Sequence, residues 1–377
     1  MRRFHFGTLI RVGQYQIGPG HPPFIIAEMS GNHNGSFERA INIVEAAAKA
    51  GAHALKLQTY TADTMTLNLA ENEFFINDPA SLWKGQSLYD LYKKAYTPWE
   101  WHKPIFKRCR ELGMIGFSTP FDATAVDFLE SLNVPLYKIA SFENIDLPLI
   151  QRVAATGKPM IISTGMANAK EITEAVGAAR KTGCKQLILL KCTSAYPAPP
   201  EEVNLTTIPA MRAKFRIPIG LSDHTEGTAV SIASVAFGAV VIERHLTLRR
   251  EDGGVDSAFS LEPEELADLV RASTAVWKAI GHKYYGPGPG EQQSLVFRRS
   301  LYVAQDMMSG ERFTPANLRS VRPGKGLPPK FYNKLLGRSV NRAVRKGTPV
   351  TWDLVGRSSL RIPAKSPQNH TQVFSKN

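Results

Sequence analysis

The chain has 377 residues, 43% hydrophobic and 21% charged, with a formal net charge of +13 and three cysteines. That length holds one large domain and a second, smaller one. Cys109, Cys184 and Cys192 have no paired spacing, which excludes a disulfide framework and points to a reducing, cytoplasmic setting, while no run approaches the ~20 apolar residues of a membrane span.

The N-terminus, MRRFHFGTLIRVGQY, is basic but has no apolar secretory core. Eight short apolar runs then follow in chain order: FIIAEMS (24–30), ALKLQTY (54–60), MIGFSTP (114–120), LYKIAS (136–141), PMIISTG (159–165), LILLKCTS (187–194), PIGLSDH (218–224) and VVIERHLT (240–247). Each is rich in β-branched or large aliphatic residues, and most precede a helix-like segment. Strand alternating with helix predicts a parallel sheet. Eight such repeats predict an α/β fold of the (β/α)8 TIM-barrel type, whose reactive residues lie at the C-terminal strand ends. After the first run, Ser36 reads as a helix N-cap, with Arg39 at the third helical position. The second and third runs are separated by twice the usual distance. The insertion (71–106) carries Phe74, Phe75, Trp83, Tyr89, Tyr92, Tyr96, Trp99 and Trp101, which either cover a ligand or pack the insertion onto the barrel.

After the last run, PEELADLVRASTAVWKAIG (263–281) reads as an amphipathic helix opening at a proline. GHKYYGPGPGEQQS (281–294) has two Gly-Pro pairs and predicts an extended linker. Residues 1–282 are therefore assigned to the barrel, 283–294 to the linker, 295–358 to a compact β-rich module and 359–377 to a disordered tail. The charge is uneven. Residues 291–377 carry 16 Lys and Arg against 4 Asp and Glu, whereas the rest of the chain is almost neutral. Scattered basic residues with few aromatics between them and no recognition motif argue against nucleic acid. They suit a module that brings arginine to an anionic substrate.

The strand ends carry the chemistry. Lys56 and Lys138 end the second and fourth strands, and a lysine inside a barrel is costly unless paired. With Ser118, Thr119, Ser141 and Ser222 in the same ring they predict an anion pocket, against the alternatives of a structural ion pair with Glu28 or Glu143 or a Schiff-base lysine. His224 and His245 end the neighbouring seventh and eighth strands. Two histidines so placed can share a metal ion whose shell is completed by water and substrate oxygens, with Mn²⁺, Co²⁺, Mg²⁺ and Zn²⁺ all compatible. Glu28 leaves the first strand toward the pocket. Asn32, His33 and Asn34 are either loop-shaping residues or ligand contacts.

The set FIIAEMSGNHNGS, ALKLQTYTAD, FSTPFD, YKIASFE, STGMA, LLKCTSAYP, GLSDHT and VIERHLTL resembles the sialic acid (nonulosonic acid) synthase family, with motifs in the same order over residues 22–355. The segment from Arg298 to Leu327 is similar to the family's antifreeze-like (SAF) domain. LYDLYKKAYTPWEWH and SVRPGKGLPPKFYNKLLGR are most similar to the pseudaminic acid synthase branch. The resemblance implies a transferase that condenses phosphoenolpyruvate with an acylated amino sugar, with a divalent metal ion, Mn²⁺ foremost. It implies phosphoenolpyruvate held by Lys56, Thr119, Lys138, Ser141 and Ser222, the metal by His224 and His245, and proton handling by Glu28. Gln58, Glu143, Ser194, Tyr196, Asp256 and Arg299 are implied to face the sugar. Arg299, or its neighbour Arg298, is implied to reach the barrel of a second copy in a domain-swapped homodimer. Sialic acid synthases have Asn where this chain has Ser194, and the region after QTY also departs from them, which points away from N-acetylmannosamine as acceptor; the alternatives within the family are an N-acetylneuraminate or a legionaminic acid synthase. The rival expectations are a metal-free Schiff-base aldolase and a non-catalytic protein binding an anionic polymer.

Overall fold

The structure, a computed structural model, describes residues 9–79 and 81–356. The tail expected to be disordered, 359–377, lies outside the described residues. The chain divides into two compact units between Gly281 and His282.

The first unit is a closed, all-parallel eight-stranded barrel. Its strands are β3 (Phe24–Glu28), β4 (Ala54–Thr59), β5 (Ile115–Pro120), β6 (Tyr137–Ile139), β7 (Met160–Ser163), β8 (Leu187–Cys192), β9 (Ile219–Ser222) and β10 (Val241–His245), with β10 closing onto β3. Each falls within one of the eight runs read from the sequence. Period-two alternation sorts their side chains. Phe24, Ile26, Ala54, Phe117, Leu136, Ile161, Ile188, Leu190 and Val241 fill the barrel interior. Ile25, Leu55, Leu57, Tyr137, Ile162, Leu189 and Ile242 face the surrounding helices.

A hairpin of β1 (Ile10–Val12) and β2 (Tyr15–Ile17) precedes the barrel and adds Ile10, Val12 and Ile17 to the interior cluster. Its two-residue turn places Gly13 at φ +54°, a left-handed conformation that glycine adopts without strain. This end of the barrel is therefore filled with aliphatic side chains, and the polar groups are left to the other end.

The helices of this unit are α1 (Phe37–Lys49), α2 (Ala62–Met65), α3 (Leu88–Ala95), α4 (Trp99–Glu111), α5 (Ala123–Ser131), α6 (Leu147–Ala154), α7 (Ala169–Lys181), α8 (Thr207–Phe215), α9 (Ala229–Ala236) and α10 (Pro263–Ile280). Ser36 caps α1 by accepting from the Arg39 amide, as the sequence predicts. No described helix is long and apolar enough to cross a membrane.

The expected extended linker differs from the structure, which has two 3-10 turns there, Pro289–Glu291 and Gln293–Phe297. The Glu291 carboxylate accepts from the Gly288 amide at 2.7 Å. Pro289 opens the first of these turns, where its missing N–H costs nothing. The second unit pairs β11 (Ser300–Val303) with β12 (Leu318–Val321) and carries the one-turn helix α11 (Tyr332–Leu335). Its small core includes Leu301, Val303, Phe313, Leu318, Leu335, Val340, Val350 and Leu354.

Candidate active site

The inward-facing residues at the strand ends form one buried charged cluster. In the parallel register Glu28 lies beside both Lys56 and His245. The Lys56 ammonium is ion-paired with Glu28, lies 3.8 Å from Glu243 and donates to Thr119 Oγ1 at 3.2 Å. The Gln58 amide donates to Glu28 at 3.0 Å. The Lys138 ammonium lies 3.4 Å from Glu243, which also accepts from Ser222 at 3.3 Å. Lys56 and Lys138 are only 3% and 2% exposed. Isolated charges at such depth cost several kcal/mol each, so the ions are held as a set.

The set pushes its members apart. Burial raises Glu28 above the usual carboxylate range, with Glu243 adding to the effect and Lys56 opposing it. Burial also works against the Glu243 carboxylate, yet Lys138 and Lys56 hold it below that range. Lys56 is raised, because Glu243 and Glu28 outweigh its burial. Lys138 is lowered, chiefly by burial. Two carboxyl groups of one pocket thus shift in opposite directions, Glu28 upward and Glu243 downward.

His224 and His245 adjoin this cluster, with ring centroids 5.4 Å apart. The His224 Nδ1–H donates to the Thr193 carbonyl at 3.0 Å. Of the two neutral tautomers that contact selects the one with a lone pair on Nε2, the arrangement of a metal-ligating histidine, while burial works against the imidazolium and Cys192 outweighs it, raising His224. His245 Nδ1 is buried without a hydrogen-bond partner, 3.7 Å from Asp256. Burial, then the charges of His224 and Lys56, hold His245 well below its usual value and therefore neutral. Among the described residues no group of three or more His, Cys, Asp or Glu is arranged as a metal cage. The donor set thus fits a divalent cation held by two imidazoles and oxygens of water and substrate, not a site closed by protein alone.

The remaining expected residues surround these two clusters. Asp256 accepts from Ser30, and burial raises it. Ser141 Oγ accepts from the Gly165 amide at 3.1 Å. A side chain on Gly165 would strike the hydroxyls of Ser141 and Ser194, so only glycine lets the backbone lie this close. Tyr196 packs on His224 at 4.6 Å and on Phe259 at 5.1 Å. Glu143 is half-buried with an unpartnered oxygen, and burial pushes it up to about 7. Arg298 and Arg299 are exposed in the second unit, where Arg299 donates to the Ser320 carbonyl at 3.1 Å.

Some residues read as part of the pocket face elsewhere. Ser118 lies on the outer face of β5, bonded to Thr59 at 2.6 Å, because Phe117 and Thr119 take the inward positions. Asn32 and His33 shape their loop. Asn32 donates to the Leu246 carbonyl and Ser260, and His33 accepts from the Gly35 amide. Sequence reasoning counts Glu243 among the polar strand-end residues but gives it no role in the site. Its position two residues before His245 on one strand would have found it. It also missed Cys192, buried 3.9 Å from His224 Nδ1. Burial works against the Cys192 thiolate, but His224 more than offsets this and holds the thiol at about 7.

Residues 43–285 match the NeuB family and residues 298–356 the SAF domain. The chain is 40% identical over 338 residues to the pseudaminic acid synthase of Helicobacter pylori, covering 89% of this chain and 99% of that protein. It is 37% identical over 322 residues to the N,N'-diacetyllegionaminic acid synthase of Campylobacter jejuni, covering 83% and 94%. The crystal structure of an N-acetylneuraminic acid synthetase from Leptospira borgpetersenii in complex with citrate superposes with a TM-score of 0.69 at 33% identity, over 77% of this chain and 95% of that one.

Proposed function

The chain belongs to the NeuB family, and we propose that it condenses phosphoenolpyruvate with 2,4-diacetamido-2,4,6-trideoxy-L-altrose and water, giving pseudaminic acid and phosphate. Identity of 40–41% to pseudaminic acid synthases over most of the chain supports this acceptor, against 34–37% to legionaminic acid synthases. The observation that carries the reading is the buried ring of Lys56, Lys138, Glu28 and Glu243 at the polar end of the barrel.

In the reaction, C3 of phosphoenolpyruvate forms a bond to the sugar's aldehyde carbon. Water adds to C2, and the C2–O bond to phosphate breaks. Lys56 and Lys138, with Thr119, Ser141 and Ser222, bind the phosphate and carboxylate of this small anion and fix its orientation. Glu243 keeps both ammonium groups charged at that depth. Glu28 takes the proton lost by the attacking water and supplies the one gained by the aldehyde oxygen, which its raised affinity for protons suits. Gln58, Glu143, Ser194, Tyr196 and Asp256 line the acceptor side. His224 and His245 would hold a divalent cation, Mn²⁺ with Mg²⁺ or Co²⁺ as alternatives, which would supply Lewis-acid polarisation of the acceptor.

The same reading takes in a homodimer in which Arg299 or Arg298 of one copy reaches the other copy's barrel. The exposure of both side chains supports it. Three free, buried cysteines suit a cytoplasmic setting. The test is phosphate release from phosphoenolpyruvate with Mn²⁺, run with the diacetamido-trideoxy altrose and with N-acetylmannosamine. Release with the altrose sugar alone is expected. Release with N-acetylmannosamine alone would keep the chemistry and refute the branch.

A further inference from the structure

The long insertion between β4 and β5 sends one side chain into the wall of the site. Trp83 lies 6.0 Å from Tyr196, centroid to centroid, at an interplanar angle of 55°. Tyr196 contacts His224 and Phe259 in turn, and Phe259 lies 5.0 Å from His245. The rings form a continuous aromatic surface that starts at the two histidines and ends at Trp83. Phe259 is buried, whereas Trp83 is only half-buried and keeps part of its ring open.

The orientation of Trp83 is fixed. Its indole N–H donates to the Val255 carbonyl at 2.8 Å. Val255 and Ala95 both pack so closely on Gly31 that a side chain there would not fit. The next residue, Asp256, is tied to Ser30. With its only polar group satisfied, the ring presents an apolar face that offers no hydrogen bond. A sugar hydroxyl pressed against such a face loses water without replacement, whereas a methyl group gains burial.

We propose that Trp83 selects the acceptor by its apolar substituents, favouring a diacetamido-trideoxy sugar over a polyhydroxylated hexosamine. This rests on the acceptor assignment above. The favoured sugar carries a second acetamido methyl and a C6 methyl where N-acetylmannosamine has hydroxyls. A methyl-sized difference against an apolar wall is worth roughly 10–100-fold in kcat/KM.

The test is steady-state kinetics of wild type, Trp83→Ala and Trp83→Phe, with each acceptor and with phosphoenolpyruvate varied separately. Trp83→Ala is expected to raise KM for the altrose sugar by about 10–100-fold, to leave KM for phosphoenolpyruvate within about 3-fold, and to narrow the preference between acceptors. Trp83→Phe is expected to retain most of that preference, since it keeps the apolar face and loses only the bond to Val255. An unchanged acceptor KM in Trp83→Ala overturns the proposal. So does an equal rise for both substrates, or a Phe variant as impaired as the Ala variant, either of which assigns Trp83 to loop anchoring. A wild type that ignores the altrose sugar refutes the acceptor assignment independently, and the Trp83 variants then report on whichever sugar it accepts.

Discussion

Glu243→Gln is the most direct probe of the charged ring. Glu243 is the only ion-pair partner of Lys138 among the described residues and the second partner of Lys56. Its removal leaves Lys56 with Glu28 and Lys138 with none, at 2% side-chain exposure. Breaking one side of a buried pair costs about 3–5 kcal/mol. The low end applies, because Lys138 is already lowered by burial and sheds its proton to limit the loss. About 3 kcal/mol, at about 2 °C per kcal/mol for a unit of this size, is a fall in Tm of about 6 °C. Phosphoenolpyruvate brings its own negative charge, so saturating ligand should raise the variant's Tm by more than it raises wild type's. Thermal unfolding followed by circular dichroism, with and without phosphoenolpyruvate, measures both terms. A variant melting within about 1 °C of wild type would show that Lys138 does not depend on Glu243, and the ring would lose its electrostatic rationale.

Three further outcomes are expected. Lys138→Ala should lower kcat by about 10²–10³-fold or more while the circular dichroism spectrum stays native, since one anion-stabilising donor is worth about that much. Chelation should abolish phosphate release and Mn²⁺ restore it; calorimetric titration with Mn²⁺ should show binding to wild type and none to a His224→Ala, His245→Ala double variant. Glu143, pushed up to about 7 by burial, keeps its proton in the folded state after the unfolded chain has released it. Stability therefore declines as pH rises from the unfolded value of about 4.5 through 7. Glu143→Gln, which has no charge to bury, should match wild type at pH 4 and melt a few degrees higher at pH 8.

The eight strands were legible because each run is apolar on both faces, the signature of a parallel strand buried inside and out. The site was legible wherever a polar residue interrupts that pattern, as Lys56, Lys138, His224 and His245 do. What escaped were contacts made across the barrel or from outside it. The pairing of Lys138 on β6 with Glu243 on β10 spans 105 positions in sequence, and no local pattern records it. Trp83 was one of several aromatics in the insertion, and only its contact with Tyr196 and its bond to Val255 place it at the site.

Alternation also explains why two neighbouring strand ends carry three polar residues each. In Ser222-Asp223-His224 and Glu243-Arg244-His245 the outer members point into the barrel and the middle ones point away. Asp223 and Arg244 meet on the outer face at 2.9 Å, both fully buried under the helix layer. Asp223 also accepts from Ser231 on α9 and from the Thr225 amide at 3.0 Å. A buried pair of this kind adds little net stability, but its geometry is demanding. It links β9 to β10 at the level where Ser222, the counter-charge Glu243 and both histidines emerge. Reactive groups must be held within about 0.5 Å of their working positions, and a side-chain ion pair between the strands that carry them does this without occupying the pocket. Asp223, although it stands at a strand end between two pocket residues, therefore belongs to the wall that aims them.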